Sequence, residues 1–175
     1  MDEGRAMTLL TEEIRGFIGM ESAEEPLSEP VEPGAVRRYV QAIMDDDPIY
    51  NPASDATRYG GPVAPLLFPS FMARRGWGDP DPFAGRDADF DGFSGFGGER
   101  LPELPLNLAL LNGGLDVEFF RYANHGETVT QKSRYVSIHE RVSKGRPILF
   151  VVTETEYRAG GGELLMRVKR TMIRR

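Results

Sequence analysis

Acid–base or metal chemistry needs side chains that can hold a proton, a charge or an ion, and this 175-residue chain offers few clusters of them. The densest is Asp45-Asp46-Asp47, followed directly by Pro48. Adjacent carboxylates suit proton transfer or cation binding. At a helix end, however, they meet the negative pole of the helix dipole, and an Asp before proline is a turn former. On residue type alone the triplet is a solvated acidic helix end in which Asp47 serves the turn. A second acidic run, Asp87-Ala88-Asp89-Phe90-Asp91-Gly92, copies the opening of a calcium loop. Such a loop needs a bidentate Glu at its last position, and the chain has Gly98 there, with Glu99 one residue late and Ser94 where an apolar residue belongs. No calcium site, and no other metal site, is expected.

The remaining nucleophiles and bases are isolated. His125 lies in Asn124-His125-Gly126, a turn signature, and is expected to face solvent, whereas His139 falls at the end of a strand pattern. Neither has metal-ligand spacing. Ser70 lacks the flanking glycines of a nucleophile elbow. Gly95-Phe96-Gly97-Gly98 does not follow a strand and open a helix, so a phosphate loop and a dinucleotide site are not indicated, and no cofactor is expected. The basic run Arg167, Lys169, Arg170, Arg174 and Arg175 reads as a solvated strand face, with contact to a phosphorylated carrier such as coenzyme A as the alternative.

These residues must be positioned by helices in the first half and strands in the second. Thr11 is an N-cap candidate ahead of Glu12 and Glu13, with Ile14, Phe17 and Ile18 on one face. After an acidic, proline-punctuated connector over 21–33, a second helix starts at Pro33-Gly34. Val36, Tyr39, Val40, Ile43 and Met44 form its apolar stripe, with Val36, Val40, Ile43 and Met44 expected under the sheet. It must end by Asp47, because Pro48 disfavours helix at the preceding residue. A short third helix is predicted over 65–74. Residues 76–105, rich in Gly, Pro and Asp yet carrying Trp77, Phe83, Phe90, Phe93 and Phe96, read as a long loop that orders on contact with a partner or substrate, or else as a mobile decoration. Beyond it the period changes. Residues 115–122, 128–139, 148–157 and 164–173 are rich in Val, Ile, Thr, Phe and Tyr and read as long antiparallel strands, with Lys144-Gly145 and Gly160-Gly161-Gly162 as turns. A curled sheet wrapped around the apolar helix is the architecture this order implies.

Composition excludes several classes. With 21 basic and 27 acidic residues the net charge is −6, against a general nucleic-acid binder, which needs a basic surface. The absence of cysteine excludes disulfides, a thiol nucleophile, thiolate zinc and iron–sulfur ligation. No apolar run approaches the length of a membrane span, and no apolar stretch follows Met1-Asp2-Glu3-Gly4-Arg5, so the expected compartment is the cytoplasm.

The run Ala42-Ile43-Met44-Asp45-Asp46-Asp47-Pro48-Ile49-Tyr50-Asn51-Pro52, followed by Ala56, Gly60-Gly61 and Pro62-Val63-Ala64-Pro65, resembles the MaoC-like dehydratases. It is most similar to their N-terminal-type subfamily, the fatty-acid-synthase-like dehydratase domains. Ile18-Gly19, Gly113-Gly114-Leu115-Asp116-Val117-Glu118-Phe119 and Gly126-Glu127-Thr128-Val129 extend the resemblance over nearly the whole chain outside 76–105. It implies an α+β hot-dog fold, a single domain over 1–175. The family motif, roughly G-D-x-N-P-[LIV]-H, places Asp45 on its Asp, Asp47 on its Asn, Ile49 on its aliphatic residue and Tyr50 on its His. In family members that hydrate enoyl thioesters, that Asp and His activate water together. A phenol with an ordinary pKa of about 10 is a poor base at neutral pH.

The resemblance therefore implies a non-catalytic or degenerate subunit of a heteromeric (R)-specific enoyl-CoA hydratase or 3-hydroxyacyl-thioester dehydratase. Asp45 and Tyr50 occupy the catalytic positions, and Asp47, Asn51, Pro65, Phe68 and Trp77 wall the pocket for an acyl-CoA or acyl-carrier-protein thioester. A second hot-dog subunit with an intact Asp/His pair supplies the base. The alternatives are a self-sufficient homodimeric hydratase using Asp45 and Tyr50, and an acyl-thioester binding protein without catalysis.

Overall fold

The computed structural model describes residues 8–74, 76–79 and 100–175. The calcium-like run Asp87–Gly92 and the aromatic residues Phe83, Phe90, Phe93 and Phe96 lie outside them. The first helix, α1 (Glu12–Arg15), is capped as its sequence predicts, with the Thr11 hydroxyl accepting from the Ile14 N–H at 3.2 Å. A two-residue strand, β1 (Glu25–Pro26), precedes α2 (Pro33–Ile43), which opens with proline at a position where no N–H is needed. α3 is shorter than predicted, Phe68–Met72. Four long strands follow: β2 (Leu110–Phe119), β3 (Val129–Ser143), β4 (Arg146–Ala159) and β5 (Leu164–Arg174). They form one antiparallel sheet in the order β1-β3-β4-β5-β2. This is the α+β arrangement expected from the sequence.

The turns follow local chemistry. Lys144 and Gly145 both have positive φ, 51° and 76°, the hairpin geometry whose twist matches the flanking strands. β2 starts earlier than the sequence reading has it, because Gly113-Gly114 does not end the strand but forms a bulge within it. A Cβ on Gly113 would come within 2.9 Å of the Thr171 carbonyl oxygen, so only glycine fits this close strand approach.

The period-2 alternation of β4 turns Leu149, Val151, Thr153, Thr155 and Tyr157 inward, all buried. Two apolar clusters cover that inner face. In one, Val36, Phe68, Met72, Tyr157, Met166 and Val168 pack together, with Tyr39, Val40 and Tyr50 against them. In the other, Ile14, Leu104, Tyr135, Ile138, Leu149 and Val151 pack together with Leu9, Leu10 and Phe17. Thus α2 covers only part of the sheet, and α1 with residues 101–106 covers the rest. On the opposite face Arg167 pairs with Glu118 and Glu156 at 2.8 and 3.0 Å, and Arg134 with Glu154 at 2.7 Å.

The apolar stripe of α2 is corrected at its end. Val36 is fully buried and Val40 is partly buried, but Ile43 is 45% and Met44 91% exposed. Met44 is not helical: it is the C-cap, at φ 56° and ψ 39°. That left-handed residue carries its side chain off the helical stripe, a geometry that three- and four-residue spacing cannot register. Val36→Asp should leave an unpaired charge in the core and abolish the cooperative urea transition, while Ile43→Gln should move stability by no more than about 0.5 kcal/mol. The reverse ranking would refute the placement of α2.

Candidate functional site

Where α2 stops, the chain folds back on itself. The Asp45 N–H donates to the Val40 carbonyl at 3.0 Å, which closes the helix end past the Met44 cap. Asp47 then caps a 3₁₀ turn over Pro48–Tyr50, its Oδ1 accepting from the Ile49 N–H at 3.0 Å. Asp47 is thus used by the turn, as residue type alone suggests. The turn returns Tyr50 toward the helix end, and its hydroxyl donates to Asp45 Oδ2 at 3.1 Å. Asp45 Oδ1 accepts from the Asp47 N–H at 3.3 Å. The structure therefore brings together Asp45 and Tyr50, the two residues the resemblance sets on the motif's Asp and His positions, five apart in sequence.

Tyr50 is half-buried against the α2 cluster. Burial, then the Asp45 carboxylate beside it, pushes its phenol well above the ordinary tyrosine range. At neutral pH the hydroxyl keeps its proton and can donate a hydrogen bond, but it cannot take a proton from water. The other residues the sequence reading assigns to a pocket are not gathered here. Asn51 is exposed and its Oδ1 accepts from the Ala53 N–H at 2.9 Å, a turn contact. Pro65 is buried, Phe68 is fully buried with Tyr39 edge-on at 5.4 Å, and Trp77 is 99% exposed. Phe68 and Trp77 do share a cleft on the side of α2 where the helix begins.

His125 is corrected. It does not face solvent: its turn folds back on Pro62-Val63, the backbone N–H donating to Pro62 O at 3.1 Å and Nε2 donating to Val63 O at 3.1 Å. That fixes the tautomer with Nδ1 as acceptor, and Nδ1 is buried with no partner among the described residues. The Val63 N–H in turn donates to Ile49 O at 3.1 Å, so His125 holds the segment that holds the motif turn. Arg121 braces the same turn with bonds to Glu127 at 2.6 and 3.0 Å and to Glu163 at 2.9 Å. The sequence signals a turn at Asn124-His125-Gly126 but not what the turn packs against, because that partner is about sixty residues away. His139 stacks on Phe150 at 5.1 Å, and the Ser70 hydroxyl donates to Leu67 O at 2.8 Å within its own helix. Among the described residues no cluster of His, Asp and Glu has the arrangement to hold a metal ion.

Two pH effects follow. Subtracting the phenolate titration of Tyr50→Phe from that of the unaltered chain should leave a chromophore with a midpoint above about 10, and a midpoint at or below that value would refute the burial assigned to Tyr50. Burial also lowers the His125 pKa. Its stabilising contribution is therefore intact above the unfolded value of about 6.5 and is lost as pH falls through the folded value. Melting temperature should drop more steeply on acidification in the unaltered chain than in His125→Gln; equal slopes would contradict this.

No helix among the described residues is long and apolar enough to cross a membrane. A comparison with curated proteins gives no match. Solved structures are similar in fold: the ChsH1-ChsH2 complex from Mycobacterium tuberculosis (18% identity, 87% of this chain and 87% of that chain, TM-score 0.63). The C-terminally truncated HadBC (3R-hydroxyacyl-ACP dehydratase) complex from Mycobacterium tuberculosis is also similar (20%, 90% and 96%, TM-score 0.60). So is the (R)-hydratase from A. caviae involved in PHA biosynthesis (17%, 89% and 94%, TM-score 0.56). The sequence profile described as FAS1-like, dehydratase domain region, matches residues 16–168. With that match running from the end of α1 into β5, the chain belongs to the FAS1-like dehydratase domain family, whose fold is the MaoC-like hot dog.

Proposed function

We propose that the chain is the non-catalytic subunit of a heteromeric (R)-specific enoyl-thioester hydratase or 3-hydroxyacyl-thioester dehydratase. The reaction adds water across the 2,3 double bond of an enoyl thioester, hydroxyl to C3 and proton to C2, or runs in reverse. It needs a base that accepts the water's proton near neutral pH and an acid that delivers one to C2. The observation that carries the reading is the Tyr50–Asp45 hydrogen bond. A phenol held in its protonated form stands where hydrating members of the family place a histidine. A partner hot-dog subunit with an intact Asp/His pair supplies the base, and this chain lends its Asp45–Asn51 turn and α3 as walls of the acyl site.

The sheet supports a partner. Among the described residues β2 is an edge strand of the sheet, and Leu115 and Phe119, on the face shared with Val168 and Met166, are exposed. An open edge flanked by exposed apolar side chains is a pairing surface. The ChsH1-ChsH2 and HadBC structures, similar in fold, are both complexes.

Loss of enoyl-thioester absorbance tests the reading. The purified chain alone should give no enzymatic turnover, and turnover should appear when a hot-dog subunit carrying the intact motif is added. In that complex Tyr50→Phe should leave the rate within about threefold, while changing the partner's motif histidine should cost on the order of 10²–10⁴-fold. Turnover by the lone chain at about 1 s⁻¹ or faster, abolished by Tyr50→Phe, would overturn the proposal.

A further inference from the structure

The face of the sheet turned away from the helices changes character halfway along its strands. Ile14 and Phe17 of α1, Val36 of α2, and Phe68 and Met72 of α3 all pack in clusters whose strand residues point inward. On the other face, one end of the sheet is a lattice of alternating charge. Arg134 and Lys169 meet Glu154 at 2.7 and 3.9 Å, and Arg158 and Arg167 meet Glu156 at 2.7 and 3.0 Å. Toward the β3–β4 turn the rows become apolar. Register sets Phe150 beside Ile173 and Ile173 beside Leu111, with Ile148 and Val152 two residues to either side on β4. None of these five belongs to either core cluster. Two side chains of β3 lie against Phe150: the His139 ring stacks on it at 5.1 Å, and the Arg141 guanidinium lies over it at 5.2 Å. Arg141, opposite Ile148, and Arg146, opposite Ser143, are both exposed on this face. Unlike Arg134, Arg158 and Arg167, neither has an acidic partner among the described residues. The carboxylate nearest in sequence, Glu140, points to the inner face and is taken by the Leu9 and Leu10 N–H groups. In a chain of net charge −6, this end of the sheet is apolar and positive.

We propose that this patch docks an acidic, amphipathic segment of a partner protein, its apolar side chains on Phe150, Ile173 and Leu111 and its carboxylates on Arg141 and Arg146. The patch lies on the opposite face of the sheet from Tyr50, so the inference does not depend on the hydratase reading. Size decides against a second copy of the chain. Strands β3, β4, β5 and β2 about 4.8 Å apart, and Ile148, Phe150 and Val152 about 6.6 Å apart along β4, give a patch of about 14 by 13 Å, on the order of 200 Å². A stable dimer buries about 800 Å² on each partner. Two or three turns of helix, about 11–16 Å long, match the patch instead. Charge sets the sign of the occupant. Carboxylates make charge-assisted hydrogen bonds to arginine, and a guanidinium laid on an aromatic ring keeps its N–H edge free for them. Shape decides against an anionic membrane surface. Ile148, Phe150, Val152 and Ile173 are half-buried within the sheet and Leu111 is 38% exposed, so none protrudes as an interfacial anchor must.

The probe is a fluorescein-labelled peptide of about twelve residues, built from Glu, Asp, Leu and Phe with its apolar residues at three- and four-residue spacing. Its anisotropy should rise saturably with the full chain at low salt, and the affinity should fall at least about tenfold in about 0.5 M salt. A twin peptide with Lys in place of Glu and Asp should not bind. The Arg141→Ala, Arg146→Ala double variant should lose at least about tenfold in affinity, with its unfolding midpoint unchanged because both side chains are exposed. The Arg37→Ala, Arg38→Ala double variant, which removes as much charge from the exposed side of α2, should stay within about twofold. No saturable binding at millimolar acidic peptide, equal losses in the two double variants, binding of the lysine twin, or tighter association with phosphatidylglycerol vesicles than with the peptide would each overturn the assignment.

Discussion

The way α2 ends governs the molecule's candidate chemistry. A helix packed on a sheet with its apolar side down must stop somewhere, and here it stops at a non-glycine residue in the left-handed region, Met44. That conformation costs an L-residue about 1–2 kcal/mol. It is held in place by the Met44 and Asp45 amides, which bond back to the Gln41 and Val40 carbonyls, and by the proline-led turn that follows. The reversal sets Asp45 against Tyr50. A helix running one turn further would carry Asp45 along its axis and away from the turn. The hydrogen bond between the two side chains is thus a consequence of where the helix ends, and it decides that the Asp45 carboxylate faces a protonated phenol and not a base.

The sheet contributes by fixing what α2 and the motif turn lean on. β3, β4 and β5 present a continuous inner face, but one short helix cannot cover strands of 11–15 residues. The chain solves this with a second apolar cluster under α1, and between the two clusters the inward residues become polar, as the Ser133–Thr155 hydroxyl contact at 2.8 Å illustrates. Neither cluster fully covers β2, which leaves Leu115 and Phe119 exposed on an edge strand of the sheet as described.

Much of this was legible in the sequence wherever a local rule governs the outcome. The Thr11 cap, the start of α2 at Pro33, the Lys144-Gly145 turn and the strand over 148–157 each depend on a few neighbouring residues, and each is found. The motif resemblance likewise singles out Asp45 and Tyr50 as a pair. The failures are non-local. Ile43 and Met44 fit a helical stripe by spacing, but the reversal at Met44 removes them from it. His125 looks like a turn residue, and is one, yet its ring is claimed by Val63, distant in sequence. β2 begins at Leu110 and not at 115, because pairing with β5 carries the strand through the glycine pair as a bulge against the Thr171 backbone.

The central claim is that Asp45 and Tyr50 are bound to each other, and a double-mutant cycle on stability measures that bond. Urea unfolding of the unaltered chain, Asp45→Ala, Tyr50→Phe and the double variant isolates their coupling from what each side chain does alone. A half-buried hydrogen bond between a phenol and a carboxylate should give a coupling of about 1 kcal/mol or more. Additive single effects, with a coupling of zero within about 0.3 kcal/mol, would mean that the carboxylate is free in solution and available for other chemistry, and would contradict the account.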